Sequence, residues 1–422
     1  MAGALNLMRS PRPALPGVKS VGELAEARGV RECLQWFTKE KQWINERHLE
    51  LSRIPAPTFR EQERAEWFAA RLRELGCEVK LDRAGNVIAF PGGESGGPFV
   101  ALTAHLDTVL TPRVPEEIRV GPDGRYHGPG ISDNGAGLAA LLAVAAAIHA
   151  SPAMESCRLP LLLVANVGEE GEGDLSGMRY LCKQSPLASK IRTFLVLDGP
   201  NTDHITAQAL ASRRFEVTIT GPGGHSWTDY GTGNPVHALS RAIASYAETR
   251  TNGAADGRRC SFNFGTIEGG LSINSIPTSA QAKLDIRSES PDLLEEMTEL
   301  LTAAVERAVE TENSRSTNGR VSAKIREIGT RPGGCLPEDA PVLMYLRAVD
   351  AHLGIRAQID CASTDANIPL SLGLAAVSIG AGGQGGGAHT PSEWFHPEGR
   401  ETGLKRILLA LNLLMRGAPA EQ

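Results

Sequence analysis

The sequence predicts an α/β fold built around a mainly parallel sheet, with a smaller α+β unit inserted in the second half of the chain. Three observations carry that prediction. The apolar run at 161–167 and the strand-like, mainly apolar segment at 99–106 are short and bounded by glycine, proline or acid, as in strands buried on both faces of a parallel sheet. An alanine- and leucine-rich helical stretch at 138–149 lies between them, so strand and helix alternate. From 211 to 328 the pattern changes. Strands at 214–220, 261–268 and 280–287 combine with amphipathic helices at 235–248 and 293–309 into an α+β sandwich of its own.

With 422 residues, 41% hydrophobic content and 46 glycines, the chain can bury a large core as two domains or as one domain with a large insertion. A net charge of -6 with no basic run argues against nucleic acid or anionic membrane as the main partner and favours a small molecule. No stretch approaches membrane-spanning length without charge. The seven cysteines (Cys33, Cys77, Cys157, Cys182, Cys260, Cys335, Cys361) are odd in number, scattered and never in a Cys-x-x-Cys arrangement. They indicate neither a disulfide framework nor a thiolate zinc site, and they fit a reducing cytoplasm. Residues 1–20, with prolines and arginines but no apolar core, read as a tail.

Taken in order, residues 21–52 show helical spacing through Leu34, Phe37, Trp43, Ile44 and Leu49, and Ile54-Pro55-Ala56-Pro57 breaks it. A second amphipathic helix spans 60–75 and stops at Gly76, after which 78–81 and 86–90 pair as short strands. The strand at 99–106 ends in His105-Leu106-Asp107. Residues two apart in an extended segment share a face, so Asp107 is expected to reach one ring nitrogen of His105 and leave the other for a metal. A glycine-dense loop at 128–137 runs into the next helix, and its Asp133 reads equally as a helix cap or as a metal ligand.

The strand at 161–167 ends in Gly168-Glu169-Glu170. Two adjacent carboxylates at a buried strand end repel, and burying each unpaired costs roughly several kcal/mol, so a cation is expected beside them. The strand at 194–197 ends in Asp198-Gly199-Pro200, and the strand at 376–379 leads into the glycine-rich loop that carries His389. Thr364-Asp365 reads as a helix cap. Each acid or histidine alone has an ordinary explanation as cap, turn or solvated end. Jointly they offer nitrogen and carboxylate donors without thiolate, the ligand set of a pair of zinc ions.

The order His105-x-Asp107, Asp133-Asn134, Glu169-Glu170, Asp198, His389 resembles the co-catalytic zinc exopeptidase family of peptidase T, carboxypeptidase G, aminoacylase, acetylornithine deacetylase and succinyl-diaminopimelate desuccinylase. The match runs from about 54 to 389, in five separate segments that agree in order and residue type. The resemblance implies a three-layer catalytic domain with a mixed, mainly parallel sheet, formed by 21–210 and 329–422, and an inserted lid at 211–328 used for dimerisation and closure. It implies that Asp133 bridges two divalent ions, with His105 and Asp198 completing one and Glu170 and His389 the other. Zinc is the expected metal, with cobalt or manganese serving in vitro. Glu169 would be the general base toward a metal-bridging water, with Asp107 supporting the centre, and the Asp133 to Asn134 peptide bond would be cis.

In the lid, His225 (Gly223-Gly224-His225-Ser226), Asn274 (Ile273-Asn274-Ser275-Ile276-Pro277) and Arg287 (Leu284-Asp285-Ile286-Arg287) match the family's substrate-contacting pattern. His225 is then expected to reach the site of a partner subunit as an oxyanion donor, and Arg287 to pair with a substrate carboxylate. Asp198 stands where deacylases and carboxypeptidases of the family carry glutamate, which favours hydrolysis of short peptides with a free amino terminus. The alternative is an N-acyl-amino-acid deacylase or a carboxypeptidase. A catalytically silent protein of the same fold is disfavoured because every matched position is filled. A dinucleotide-dependent enzyme is disfavoured because neither 92–97 nor 382–387 leads into a helix with the required spacing.

Overall fold

A computed structural model of the protein describes residues 15–151, 157–248 and 259–417. The chain divides into two units: Met1–Ala207 with Leu336–Asp360 and Thr364–Gln422, and Gln208–Cys335 with Cys361–Ser363.

In the first unit, strands Leu161–Asn166, Phe99–His105, Ile191–Leu197 and Ala375–Ile379 lie side by side and parallel. Antiparallel strands flank this core, Val87–Phe90 and then Glu78–Leu81 on one side and His204–Ala209 on the other. Every residue of Phe99–His105 and of Leu161–Asn166 is buried, which is why both read as predominantly apolar segments. His105 lies in register with Asn166, so the polar residues begin together where the strands finish.

Helix Gly135–Ala150 has 13 of its 16 residues buried. Its alanines let it settle into one apolar core with Val100, Leu102 and Ala104 of the neighbouring strand. Helix Arg400–Arg416, which the sequence analysis did not single out, joins the same core. Residues 21–52 form three helices rather than one, Val21–Glu26, Arg28–Lys39 and Lys41–Ser52, interrupted at Ala27 (φ -58, ψ 131) and Glu40 (φ -98, ψ 27). Neither residue is a helix breaker, so apolar periodicity runs straight through both points. Leu15 and Val18, within the expected tail, pack on the small cluster of Val21, Leu24, Val349, Leu409 and Leu413, while residues 1–14 lie outside the described residues.

The second unit is a four-stranded antiparallel sheet in the order Cys260–Gly269, Ser279–Ser288, Ala211–Thr220, Ser322–Arg331. Phe215, Val217, Ile219, Ala282, Leu284 and Ile286 from the sheet meet Leu239, Met297 and Leu301 from helices Pro235–Glu248 and Pro291–Arg315. The strand Ser322–Arg331 escaped the sequence reading because it is a sheet edge, largely exposed and with no alternating apolar face. Among the described residues no helix is long and apolar enough to cross a membrane.

Candidate metal centre

The predicted ligands arise where the parallel strands end. His105 closes its strand, Glu169 and Glu170 follow Leu161–Asn166, Asp198 follows Ile191–Leu197, and Asp133 sits just before helix Gly135–Ala150. Asn134, not Asp133, caps that helix: its Oδ1 accepts the Gly137 N–H at 3.1 Å. The cap reading of Asp133 is therefore replaced, and its carboxylate is left for other partners. Asn134 also binds across to the next strand end, donating from Nδ2 to Leu197 O at 2.8 Å and accepting the Gly199 N–H at 3.2 Å. One side chain thus sets the spacing between Asp133 and Asp198. The Asp133 to Asn134 bond is cis, as expected from the sequence.

Asp133 lies between the two histidines. Its Oδ1 is 3.2 Å from His105 Nε2, and its Oδ2 is 3.0 Å from His389 Nε2. His105 Nε2 also lies 3.8 Å from Asp198 Oδ1, and His389 Nε2 lies 2.9 Å from Glu170 Oε1. The ligating atoms of His105, Asp133 and Asp198 therefore cluster, as do those of Asp133, Glu170 and His389, each set within 4.8 Å. A third grouping of the same radius joins His105, Glu169 and Glu170. His389 is presented with φ 63, a left-handed conformation that bulky residues rarely adopt. Its glycine loop packs so tightly that a Cβ at Gly385 would lie 2.6 Å from Pro200 and 3.0 Å from Ser132.

The donor set fits divalent cations on its own chemistry. His105 Nδ1 lies 2.9 Å from the Asp107 carbonyl oxygen, which takes the ring N–H and turns the Nε2 lone pair toward two carboxylates. Lone pair facing lone pair at this range requires a proton or a metal ion between them. Asp133 Oδ1 is buried and accepts no hydrogen bond, an orphaned acceptor of the kind a cation satisfies. Burial alone would raise the Asp133 carboxyl, but the His105 and His389 imidazoles outweigh it and hold it well below the usual carboxylate range. The Asp133 and Glu170 carboxylates push His389 up to about 10. Burial alone would lower His105, yet the carboxylates of Asp107, Asp133 and Asp198 raise it well above the ordinary imidazole value.

Asp107 does something other than expected. Its carboxylate is 3.5 Å from His105 Nδ1, beyond a hydrogen bond, and the ring instead meets its backbone carbonyl. The carboxylate accepts the N–H groups of Glu169 at 3.0 Å and Glu170 at 2.9 Å, and the Thr58 hydroxyl at 2.9 Å. Asp107 thereby fixes the turn on which both glutamates stand.

Three residues that hold the site were not recognised in the sequence. Glu393, fully buried, accepts from Gly130 N at 2.7 Å, Ser132 N at 2.8 Å, Ser132 Oγ at 2.8 Å and Asp133 N at 2.9 Å, gripping the loop that presents Asp133. Glu61 accepts the Gly168 N–H at 3.0 Å at the foot of the paired glutamates. Asp365 is not a helix cap: its carboxylate is buried and accepts from Asn166 Nδ2 at 2.6 Å, and burial pushes it up to about 7. Helix Asn367–Ser371 starts after Ala366 with no side-chain cap. The sequence carries no signal for them: what marks them is burial, since Glu and Asp are almost never fully buried without a partner, and burial shows only in the fold.

The three lid residues belong to the second unit. Gly224–His225 pairs with Ser275–Ile276, and Ser226 N–H donates to Asn274 O at 3.0 Å, so His225 and Asn274 are neighbours. His225 Nδ1 accepts from Trp227 N at 3.2 Å, which fixes its ring on an exposed turn. Arg287 stands on strand Ser279–Ser288 with Nε donating to Asp285 Oδ2 at 2.7 Å, and Arg214 binds the other Asp285 oxygen at 3.1 Å. The sequence reading did not anticipate that carboxylate.

A discontinuous α/β unit with histidines and carboxylates converging at the ends of its parallel strands defines the class. The profile of Peptidase family M20/M25/M40 matches residues 101–412, and the chain belongs to that family. A probable carboxypeptidase of Aspergillus terreus is 33% identical over 214 residues, 48% of this chain and 47% of that protein. The cytosol non-specific dipeptidase of Escherichia coli is 27% identical over 274 residues, 58% of this chain and 53% of that protein. The chain thus spans about half the length of these curated relatives. A crystal structure of a tripeptidase from Staphylococcus aureus superposes with TM-score 0.70 at 21% identity, covering 89% of this chain and 99% of that one, a likeness of fold.

Proposed function

We propose that the protein is a two-metal hydrolase of amide bonds in short peptides with a free amino terminus. The observation that carries the reading is Asp133, whose two oxygens face two different imidazoles while one of them, buried, accepts no hydrogen bond. In this reading His105, Asp133 and Asp198 hold one cation, and Asp133, Glu170 and His389 hold the other. Zinc suits these donors best. Bound there, the pair would supply an acidified water and a polarised substrate carbonyl.

Glu169 takes the proton of the attacking water and delivers it to the departing amine. Its backbone N–H donates to Asp107 at 3.0 Å, which ties the turn that carries its carboxylate to the strand end of His105. Glu170 is tied to His389 and is therefore the ligand of the pair. His225, from the inserted unit of a second copy in a homodimer, donates to the developing oxyanion. Asn274 beside it contacts the substrate backbone, and Arg287 exchanges Asp285 for a substrate carboxylate. The reducing cytoplasm remains the compartment that seven scattered cysteines, none in a Cys-x-x-Cys arrangement, fit.

The free amino terminus follows from Asp198, shorter than the glutamate of the deacylases that the sequence resembles. A second reading, carboxypeptidase or N-acyl-amino-acid deacylase, is favoured by the name of the Aspergillus relative. Paired substrates decide between them. The first reading expects N-acetylation of a cleaved di- or tripeptide to abolish turnover, and undiminished kcat/KM on the acetylated peptide overturns it in favour of the second. Purified protein that binds no zinc, cobalt or manganese while folded overturns both.

A further inference from the structure

We propose that Phe59 and Val109 form an apolar subsite at the lip of the metal centre, selecting substrates with a bulky apolar side chain beside the scissile amide. This rests on amide hydrolysis at that centre.

Residues 57–60 make a tight turn closed by Arg60 N–H donating to Pro57 O at 2.8 Å. Phe59 occupies its third position with φ 73. Turns of this φ normally carry glycine or asparagine there, because a Cβ crowds the neighbouring carbonyl. An aromatic side chain at such a position is strained, and this one is 68% exposed, so burial does not offset the strain. Neither turn chemistry nor core packing accounts for a phenylalanine at this point.

The turn is bound to the metal centre. Thr58 Oγ1 donates to Asp107 Oδ2 at 2.9 Å, the same oxygen that receives the Glu170 N–H at 2.9 Å. A Cβ at Gly173 would lie 2.6 Å from the Thr58 methyl, so the turn also touches the segment that follows the paired glutamates. Pro57 forms a parallel bridge with Thr108, whose N–H donates to Ala56 O at 3.0 Å. That bridge sets Val109, 45% exposed and four residues past His105, next to the Phe59 turn. Two large apolar side chains thus stand in solvent on two loops stitched together, Val109 two residues from Asp107, which anchors Glu169 and Glu170, and Phe59 one residue from Thr58, which binds that same carboxylate. Exposed apolar surface adjoining a polar centre marks a place where a ligand is desolvated. A leucyl or phenylalanyl side chain would bury area there, and a glycine would gain nothing.

The test compares wild type with Phe59→Gly and Phe59→Asn, both of which tolerate positive φ. Each is assayed with its metals loaded on leucyl-glycine against glycyl-glycine and on N-acetyl-leucine against N-acetyl-glycine. The two pairs cover both readings of the bond cleaved. The wild type is expected to prefer the leucine member, and the leucine-to-glycine ratio of kcat/KM is expected to fall roughly tenfold in both variants. In a Glu169→Gln background, where binding is measured without turnover, the ratio of dissociation constants should fall by the same factor. A wild type without the leucine preference overturns the subsite, as does a ratio unchanged within about twofold in variants that melt cooperatively. A metal-loaded wild type that cleaves neither pair overturns the hydrolase reading itself, an outcome distinct from cleavage with unchanged selectivity.

Discussion

Replacing Glu393 with glutamine should weaken metal binding although every proposed ligand stays in place. Glu393 Oε1 accepts three hydrogen bonds, from Ser132 N, Ser132 Oγ and Asp133 N, and Oε2 accepts one, from Gly130 N at 2.7 Å. A glutamine can keep its carbonyl oxygen on the first three donors, but its NH₂ then faces the Gly130 N–H, donor against donor. The variant loses one hydrogen bond to a charged acceptor, about 1.5–3 kcal/mol, and leaves a buried N–H without an acceptor, about 1–3 kcal/mol. Partial relaxation brings the total to about 2–3 kcal/mol. If the loop must hold its shape to present Asp133, that sum appears as metal affinity, a loss of roughly 30- to 150-fold. Titration of zinc against a competing chelator, with metal content measured directly, reads it. Ser132→Ala removes only the hydroxyl contact at 2.8 Å and should cost about 1 kcal/mol, roughly fivefold. Unchanged affinity in Glu393→Gln alongside a lowered melting temperature would refute the reasoning, because the loop would then keep its shape without the carboxylate.

Glu169→Gln should abolish turnover with both metals retained, whereas Glu170→Gln and His389→Ala should lower metal content; equal metal loss in all three would mean that the roles of the paired glutamates are misassigned. Mixing His225→Ala chains with Glu169→Gln chains under subunit exchange should restore part of the activity, and none despite demonstrated exchange would remove His225 from a partner's site. Asp350→Ala should lower unfolding free energy by about 3–5 kcal/mol, because it strands the buried Arg406 guanidinium, whose Nε and Nη2 each donate to Asp350 at 2.7 Å; urea denaturation measures it, and a loss below about 1 kcal/mol refutes it. Burial pushes the Cys182 thiol up to about 12 and the Cys77 and Cys157 thiols up to about 11, so at neutral pH a thiol reagent should label the exposed Cys335 first; mass spectrometry showing Cys182 modified earliest would contradict this.

The sheet and the cluster of ligands were legible for the same reason: parallel strands buried on both faces leave apolar runs, and the fold gathers the residues at the ends of those runs into one place. His105, Glu170 and Asp198 could be read because each ends or closely follows such a run, and Asp133 and His389 because each stands in a glycine-dense loop beside a helix or strand. Glu393 and Asp365 could not, since each does its work through contacts far off in sequence, Glu393 with residues 130–133 and Asp365 with Asn166. Asp107 was placed correctly beside His105, but its backbone oxygen and not its carboxylate meets the ring, a choice that spacing cannot express. Strand Ser322–Arg331 carries its apolar contacts on too few positions to alternate, and the interruptions at Ala27 and Glu40 are made by packing rather than by residue type.

The first unit hands the chain over to the insertion at Ala207 and takes it back at Leu336, and Leu336 N–H donates to Ala207 O at 3.0 Å. Departure and return are therefore adjacent, and the whole intervening segment is a loop whose ends are already closed by the scaffold. The entropy of closing a loop grows only with the logarithm of its length, so the scaffold is nearly indifferent to how much chain is spliced in at that point. Mutation and recombination can enlarge, shrink or exchange the insertion while His105, Asp133, Glu170, Asp198 and His389 keep their positions, so the chemistry proposed for these side chains is decoupled from the size of the segment spliced in beside them.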